Sequence, residues 1–138
     1  MSHFTDSELK YIQEQQIGRM ATVSSKGMPH IVPVSYRYNS QYDSIDIYGI
    51  KMKGSLKYEQ IVKNNQVAFV IDDISQPMQG RGVELRGHAQ LVPVTDEELP
   101  PFPNIAHELI RIVPTKILSW GLTGDRTIRS SRNVQQNS

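Results

Sequence analysis

The stretch RMATVSSKGMPHIVPVSYRY, residues 19 to 38, constrains the fold of this chain more than any other. Ala21 and Val23 alternate with polar neighbours, SSKG forms a polar turn, and Ile31, Val32 and Val34 resume the apolar pattern. A repeat of two places side chains on opposite faces of an extended strand; a helix needs a repeat of about 3.6. Two such runs joined by so short a turn read most simply as an antiparallel hairpin. Pro29 and Pro33 lack a backbone donor, which assigns the second strand to a sheet edge or to a local opening.

The pattern recurs along the chain. IDIYGI alternates Ile45 and Ile47 and reads as a third strand, and the continuous apolar run QVAFVID reads as a buried fourth. VELRGHAQLVPV is a long fifth strand in which Gly87 marks a bulge or a close backbone approach. LIRIVPTKILSW is the sixth. Two helical patterns interrupt them. FTDSELKYIQEQQ has Thr5, Asp6 or Ser7 as a cap, Leu9 and Ile12 as an apolar stripe, and Gly18 as its stop. A second helix begins near Ser55, uses Leu56, Ile61 and Val62, and closes at Asn64 and Asn65. DISQPMQGRG reads as a loop, and TDEELPPFPNIAHE as a capped turn followed by a proline-rich connection. The tail GLTGDRTIRSSRNVQQNS is poor in apolar residues and is expected to be mobile, or ordered only against a partner chain.

Six strands with mostly short turns predict a mainly β chain: a closed or partly closed six-stranded antiparallel barrel with a few short helices. The 138 residues suffice for one domain with a core over about 17–122, the tail beginning at 123. A hydrophobic share of 38% against 21% charged fits a globular domain rather than a disordered chain. No apolar run approaches the roughly 20 residues of a membrane span, and the polar N-terminus has no signal-peptide core. Cysteine is absent, which excludes disulfides, thiolate catalysis and cysteine-ligated zinc. A cytoplasmic location is the default expectation. Fifteen basic residues against 14 acidic ones give no general attraction to nucleic acid, so none is expected as a partner. His3, His30, His88 and His107 show no ligand spacing, so no metal is expected.

Charge is concentrated in one place. Lys51, Lys53, Lys57 and Lys63 follow the third strand, with Glu59 as the single acid among them. The free N–H groups and dipole of a helix start, together with flanking lysines, form an anion site. Ser55 caps the helix or donates to a phosphate, and Gly54 permits close backbone approach. The alternative is an ordinary solvated lysine face. Trp120, the single tryptophan, reads as a cap on the core or as the wall of an aromatic-ligand pocket. Arg126, Arg129 and Arg132 read as a solvated end or as an arm reaching a neighbouring subunit's site.

In order, IGRMATVSSKGMPHIVPVSYRY, IDIYGIKMKGSLKYEQIVKNNQVAFVID, GVELRGHAQLV and IRIVPTKILSWGL resemble the pyridoxamine-phosphate-oxidase-like superfamily of flavin and deazaflavin split barrels. The resemblance runs from about Ile17 to Leu122 and is nearest to the small branch associated with the deazaflavin coenzyme F420. It implies a homodimer with two cofactor sites along its interface. The ring system would lie against Val32, Pro33, Val34 and Ser35. The phosphate would be held by Lys51, Lys53, Ser55 and Lys57, with Met52 among them and Trp120 near the site. The implied activity is hydride transfer from reduced F420 to a small conjugated organic substrate, with FMN as the alternative cofactor. A non-catalytic flavin- or haem-binding module is the third reading. The tail does not reproduce the arginine-and-histidine substrate signature of true pyridoxamine-phosphate oxidases, so production of pyridoxal phosphate is not expected.

Overall fold

The computed structural model describes residues 2–50, 61, 63–75, 78–95, 97, 105–123 and 129–135. The elements in order are α1 (Asp6–Glu14), β1 (Ile17–Val23), β2 (Pro29–Ser35), β3 (Arg37–Asn39), β4 (Ser44–Ile50), β5 (Gln66–Ser75), β6 (Gln79–Pro93), β7 (Ile105–Trp120) and β8 (Arg129–Asn133). All strand pairings among the described residues are antiparallel, in the order β2-β1-β5-β6-β7-β4-β3, with β8 on the far side of β7.

The order explains both the barrel and the strand count. β2 and β3 are separated in sequence by Tyr36 alone, yet lie at opposite ends of the strand path. The chain passing through Tyr36 therefore curls the sheet on itself. The single second strand expected from sequence is divided at this bend, and β8 adds another, so six expected strands become eight among the described residues. Tyr36 fixes the bend: its hydroxyl donates to the Ile12 carbonyl at 2.6 Å and its ring meets Phe69 edge-on at 5.5 Å.

Period-two burial supplies the core. Met20, Phe69, Ile71, Leu85, Ile47, Ile112 and Ile117 point inward from successive strands, and α1 adds Tyr11 and Ile12. The hairpin expectation for residues 19–35 is met by the β1–β2 register, Ile17 opposite Ser35 through Val23 opposite Pro29. The proline-bearing β2 stands at an end of the path, where a missing donor breaks no second ladder.

Four expectations are corrected. The helix stops at Glu14 with Gln15 as its cap, so Gly18 is not its stop. Gly18 lies in β1 opposite Val34, where a Cβ would stand 2.2 Å from the Phe69 ring. DISQPMQGRG is no open loop: β5 and β6 extend into it and pair from Gln66 opposite His88 to Ser75 opposite Gln79. The sixth strand begins at Ile105, inside the proline-rich connection, because β7 must reach Ile50 and Pro93. The tail is ordered over residues 129–133 against β7 of its own chain, with Val134 buried behind it.

At Gly87 both sequence readings hold. The β6–β7 register shifts between Arg86 and Gly87, and a Cβ at Gly87 would sit 2.1 Å from the Val113 carbonyl oxygen. Of the second helix, Ile61 and Lys63 are described and helical, and Asn64 accepts from the Gln66 N–H at 3.1 Å beyond its end.

Candidate functional site

β2 presents the segment expected to line a cofactor ring. Val32 and Val34 are half-buried and pack against the core, while Pro33 and Ser35 project outward and are exposed. Among the described residues β2 pairs with β1 alone, so alternate backbone groups on its other side face away from any ladder. The open backbone edge of this β2 ledge offers donors and acceptors of the kind that the polar edge of a flavin-type ring requires. Lys51, Met52, Lys53, Ser55 and Lys57, expected at the phosphate, lie outside the described residues.

Trp120 is not brought to this ledge. It ends β7, and β1, β5 and β6 lie between it and β2. Its ring covers Gly82, where a Cβ would meet Trp120 Cζ2 at 2.6 Å. It also borders a cavity of about 130 Å³ shared with Ser119, Thr123 and Ser130. Within one chain Trp120 therefore belongs to the α1–β7–β8 end.

That end holds a buried acid that the sequence reading missed. Thr5 caps α1 through a reciprocal box: its hydroxyl accepts from the Glu8 N–H, and Glu8 accepts from the Thr5 N–H at 2.9 Å. Glu8 is 1% exposed. It also accepts from Ser119 Oγ at 2.6 Å and from Arg132, whose Nη1 lies 3.1 Å from Oε2 and whose Nη2 bonds Oε1. Arg132 Nη2 donates further to the His3 carbonyl at 2.7 Å. Burial raises the Glu8 pKa, but the bonds from Arg132, Ser119 and Thr5 outweigh it and hold the carboxyl below its ordinary value. The arginine read as an arm toward a neighbour is thus turned inward. The T-x-x-E spacing of Thr5 and Glu8 was the available signal for the box; nothing local signalled Arg132.

Three more polar clusters stitch the barrel. Arg111 donates to both oxygens of buried Asp46 at 3.0 and 3.1 Å beneath the Tyr42 ring, which it approaches to 4.0 Å. Asp73 accepts from Arg81 and from the Tyr11 hydroxyl, each at 2.8 Å, and the Arg81 bond is foremost in lowering its pKa. Asp43 gathers Ser2, the His3 N–H and Tyr38 around its carboxylate. Tyr36 and Tyr38 therefore spend their hydroxyls on the fold. No group of three or more potential metal ligands occurs among the described residues. No helix among them is long and apolar enough to cross a membrane.

Comparison with known proteins agrees with this architecture. The family model described as pyridoxamine 5'-phosphate oxidase matches residues 4–121. A 5a,11a-dehydrotetracycline/5a,11a-dehydrooxytetracycline reductase of Streptomyces rimosus is 41% identical over 124 residues, covering 88% of this chain and 86% of that protein. A structure titled FAD binding protein from Mycobacterium smegmatis superposes with a TM-score of 0.64 at 21% identity, over 86% of this chain and 96% of that one. A structure titled F420 reductase gives 0.64 at 19% identity, over 83% and 98%. The last two share the fold; the match over most of the chain and the 41% relative go further. This chain belongs to the pyridoxamine 5'-phosphate oxidase family.

Proposed function

We propose that this oxidoreductase of the pyridoxamine 5'-phosphate oxidase family uses reduced coenzyme F420 to reduce a conjugated carbon–carbon bond in a small organic substrate. The observation that carries the reading is the 41% identity, over 88% of the chain, to a protein named as a reductase of dehydro compounds. The KMKGSLK block supports a phosphorylated cofactor, since lysines at a strand-to-helix junction favour an anion. Lys51, Lys53, Ser55 and Lys57 would hold the phosphate, with Met52 between the first two lysines. Val32 to Ser35 would line the ring, the half-buried valines fixing its plane and the outward backbone of β2 its polar edge. When bound, the reduced deazaflavin supplies the hydride. The chain itself positions the two partners and keeps bulk water from the reacting face.

A homodimer belongs to the same proposal. Ile17 and Ile31, 52% and 63% exposed, lie on the outer face of β1 and β2 beside Pro33. Apolar residues gathered on one face suit burial against a second copy. The competing reading replaces the deazaflavin with FMN, and the structure titled FAD binding protein keeps a flavin in view.

The test is a side-by-side fluorescence titration of cofactor-stripped protein with F420 and with FMN. Preferential F420 binding is the expected result; preferential FMN binding overturns the choice of cofactor. Replacing Lys51, Lys53 and Lys57 together with alanine should abolish binding while leaving the circular dichroism spectrum intact. Unchanged affinity removes the phosphate-clamp assignment.

A further inference from the structure

A shallow groove crosses the outer face of β1, β5 and β6. It encloses about 390 Å³, at the lower end of the range for organic ligands. Its floor is flat for a reason visible in the register. Ala21 pairs with Ala68, and Ala68 with Arg86, so two alanines lie side by side where larger residues would stand up from the sheet. Gly87 continues the floor and cannot acquire a side chain without striking Val113. Val23 closes one side.

The rim is polar and carries excess positive charge. Arg86 and His88 line it, and both are exposed. Lys116 stands opposite Arg86 on the neighbouring strand and so shares its face. Glu84 is the acid in direct contact, 2.7 Å from Arg86 Nε. The Arg86 and Lys116 charges against Glu84 leave one net positive charge before His88 is counted. The β7 bulge adds Thr115, whose hydroxyl donates to the Arg86 carbonyl at 3.2 Å and anchors this end of the rim.

Position links the groove to the ledge on β2. Ala21 pairs with Ile31, the residue just before the segment expected to carry the cofactor ring, so the groove begins one strand spacing, about 5 Å, across the sheet and one residue along from that segment.

We infer that this groove is the substrate subsite and takes a flat, conjugated anion of about two or three fused rings, an enolate or aryl carboxylate, with its negative oxygen toward Arg86 and Lys116. The flat floor of alanine and glycine selects planarity, because a puckered ring would lose contact with it. The basic rim selects the anion. The role as a substrate site rests on the oxidoreductase reading; the ligand class follows from the groove alone.

The test uses the full chain with 3-hydroxy-2-naphthoate, a fluorescent planar anion, and 2-naphthol as its uncharged counterpart. Binding is followed by fluorescence, and its place by amide NMR shifts. The expected shifts centre on Ala21, Ala68 and Gly87. Ala68→Leu, which raises the floor, should weaken both probes at least tenfold. Arg86→Gln should weaken the naphthoate at least fivefold and leave naphthol unchanged. Thermal melts of both variants confirm that they fold. Naphthoate shifts that avoid β1, β5 and β6, or unaltered affinity in both folded variants, overturn the inference. The two readings fail separately. Probe binding at the groove without F420 or FMN binding removes the oxidoreductase reading and keeps the ligand class. Reductase turnover that survives unchanged in Ala68→Leu removes the subsite and keeps the oxidoreductase.

Discussion

Replacing Arg132 with methionine should destabilise the fold by about 3 kcal/mol at neutral pH. The figure follows from what the substitution strands. Glu8 is 1% exposed, and loses two bonds from Arg132; the His3 carbonyl loses a third. The bonds from Ser119 Oγ and the Thr5 N–H remain. Removing one partner of a buried pair typically costs about 3–5 kcal/mol, and the lower end applies because the Arg132 side chain is 29% exposed. With a urea m-value of about 2 kcal/mol per M, the unfolding midpoint should fall by about 1.5 M. The measurement is urea unfolding followed by circular dichroism, at a fixed chain concentration so that assembly does not shift the midpoint.

The pH dependence carries a second check. In the native chain the Glu8 pKa lies below its ordinary 4.5, so its contribution is present above the unfolded pKa. That contribution is lost as pH falls through the folded pKa. Without Arg132, burial dominates and raises the folded pKa, so the variant loses stability as pH rises through the unfolded value. The gap between the two proteins should therefore be widest near neutrality and narrow below about pH 4.5. Adding Glu8→Gln to Arg132→Met should recover about 1–2 kcal/mol, because no charge is then stranded. A midpoint shift under about 0.3 M, or a gap that stays constant into acid, would refute the reasoning.

Asp46→Asn should cost about 3 kcal/mol in the same urea assay, since it leaves Arg111 under Tyr42 without its bidentate carboxylate. Gly87→Ala should lower the melting temperature by about 10 °C, because the new Cβ meets the Val113 carbonyl, a backbone atom with little freedom to retreat. Tyr36→Phe keeps the ring contact with Phe69 and removes the bond to the Ile12 carbonyl, a loss of about 1 kcal/mol measurable by thermal melting.

The sequence by itself determined the strand content and most of the strand positions. Alternation such as Ala21–Val23 or Ile45–Ile47 is a local property, read from a few consecutive residues, and it placed β1 and β4. In β1 the faces are reversed, with Met20 and Thr22 in the core and Ala21 and Val23 outside, and the continuous apolar run of β5 alternates in burial. Local chemistry likewise determined the edge assignment of β2 through its prolines and the bulge at Gly87. The lysine block marked a candidate phosphate site because charge at a strand-to-helix junction is also legible in one line of sequence.

Only the tertiary structure decided which distant positions meet. Glu8 and Arg132 are 124 residues apart, and no periodicity connects them. Asp46 and Arg111 are joined by the β4–β7 register, where they stand opposite one another. Ala21, Ala68 and Arg86 form one row across three strands because two registers bring them side by side. The tail looked unfit for order because it has few apolar residues. It is ordered because β7 offers an open ladder and Glu8 a buried charge in need of a cation. Patterns with a short repeat reveal where a strand runs; the packing around Met20 and Thr22 decides which face of β1 is buried, and closure through Tyr36 determines which strands become neighbours. Groove, ledge and ion pair all depend on that second decision, because each is built from residues that only register and curvature bring within reach.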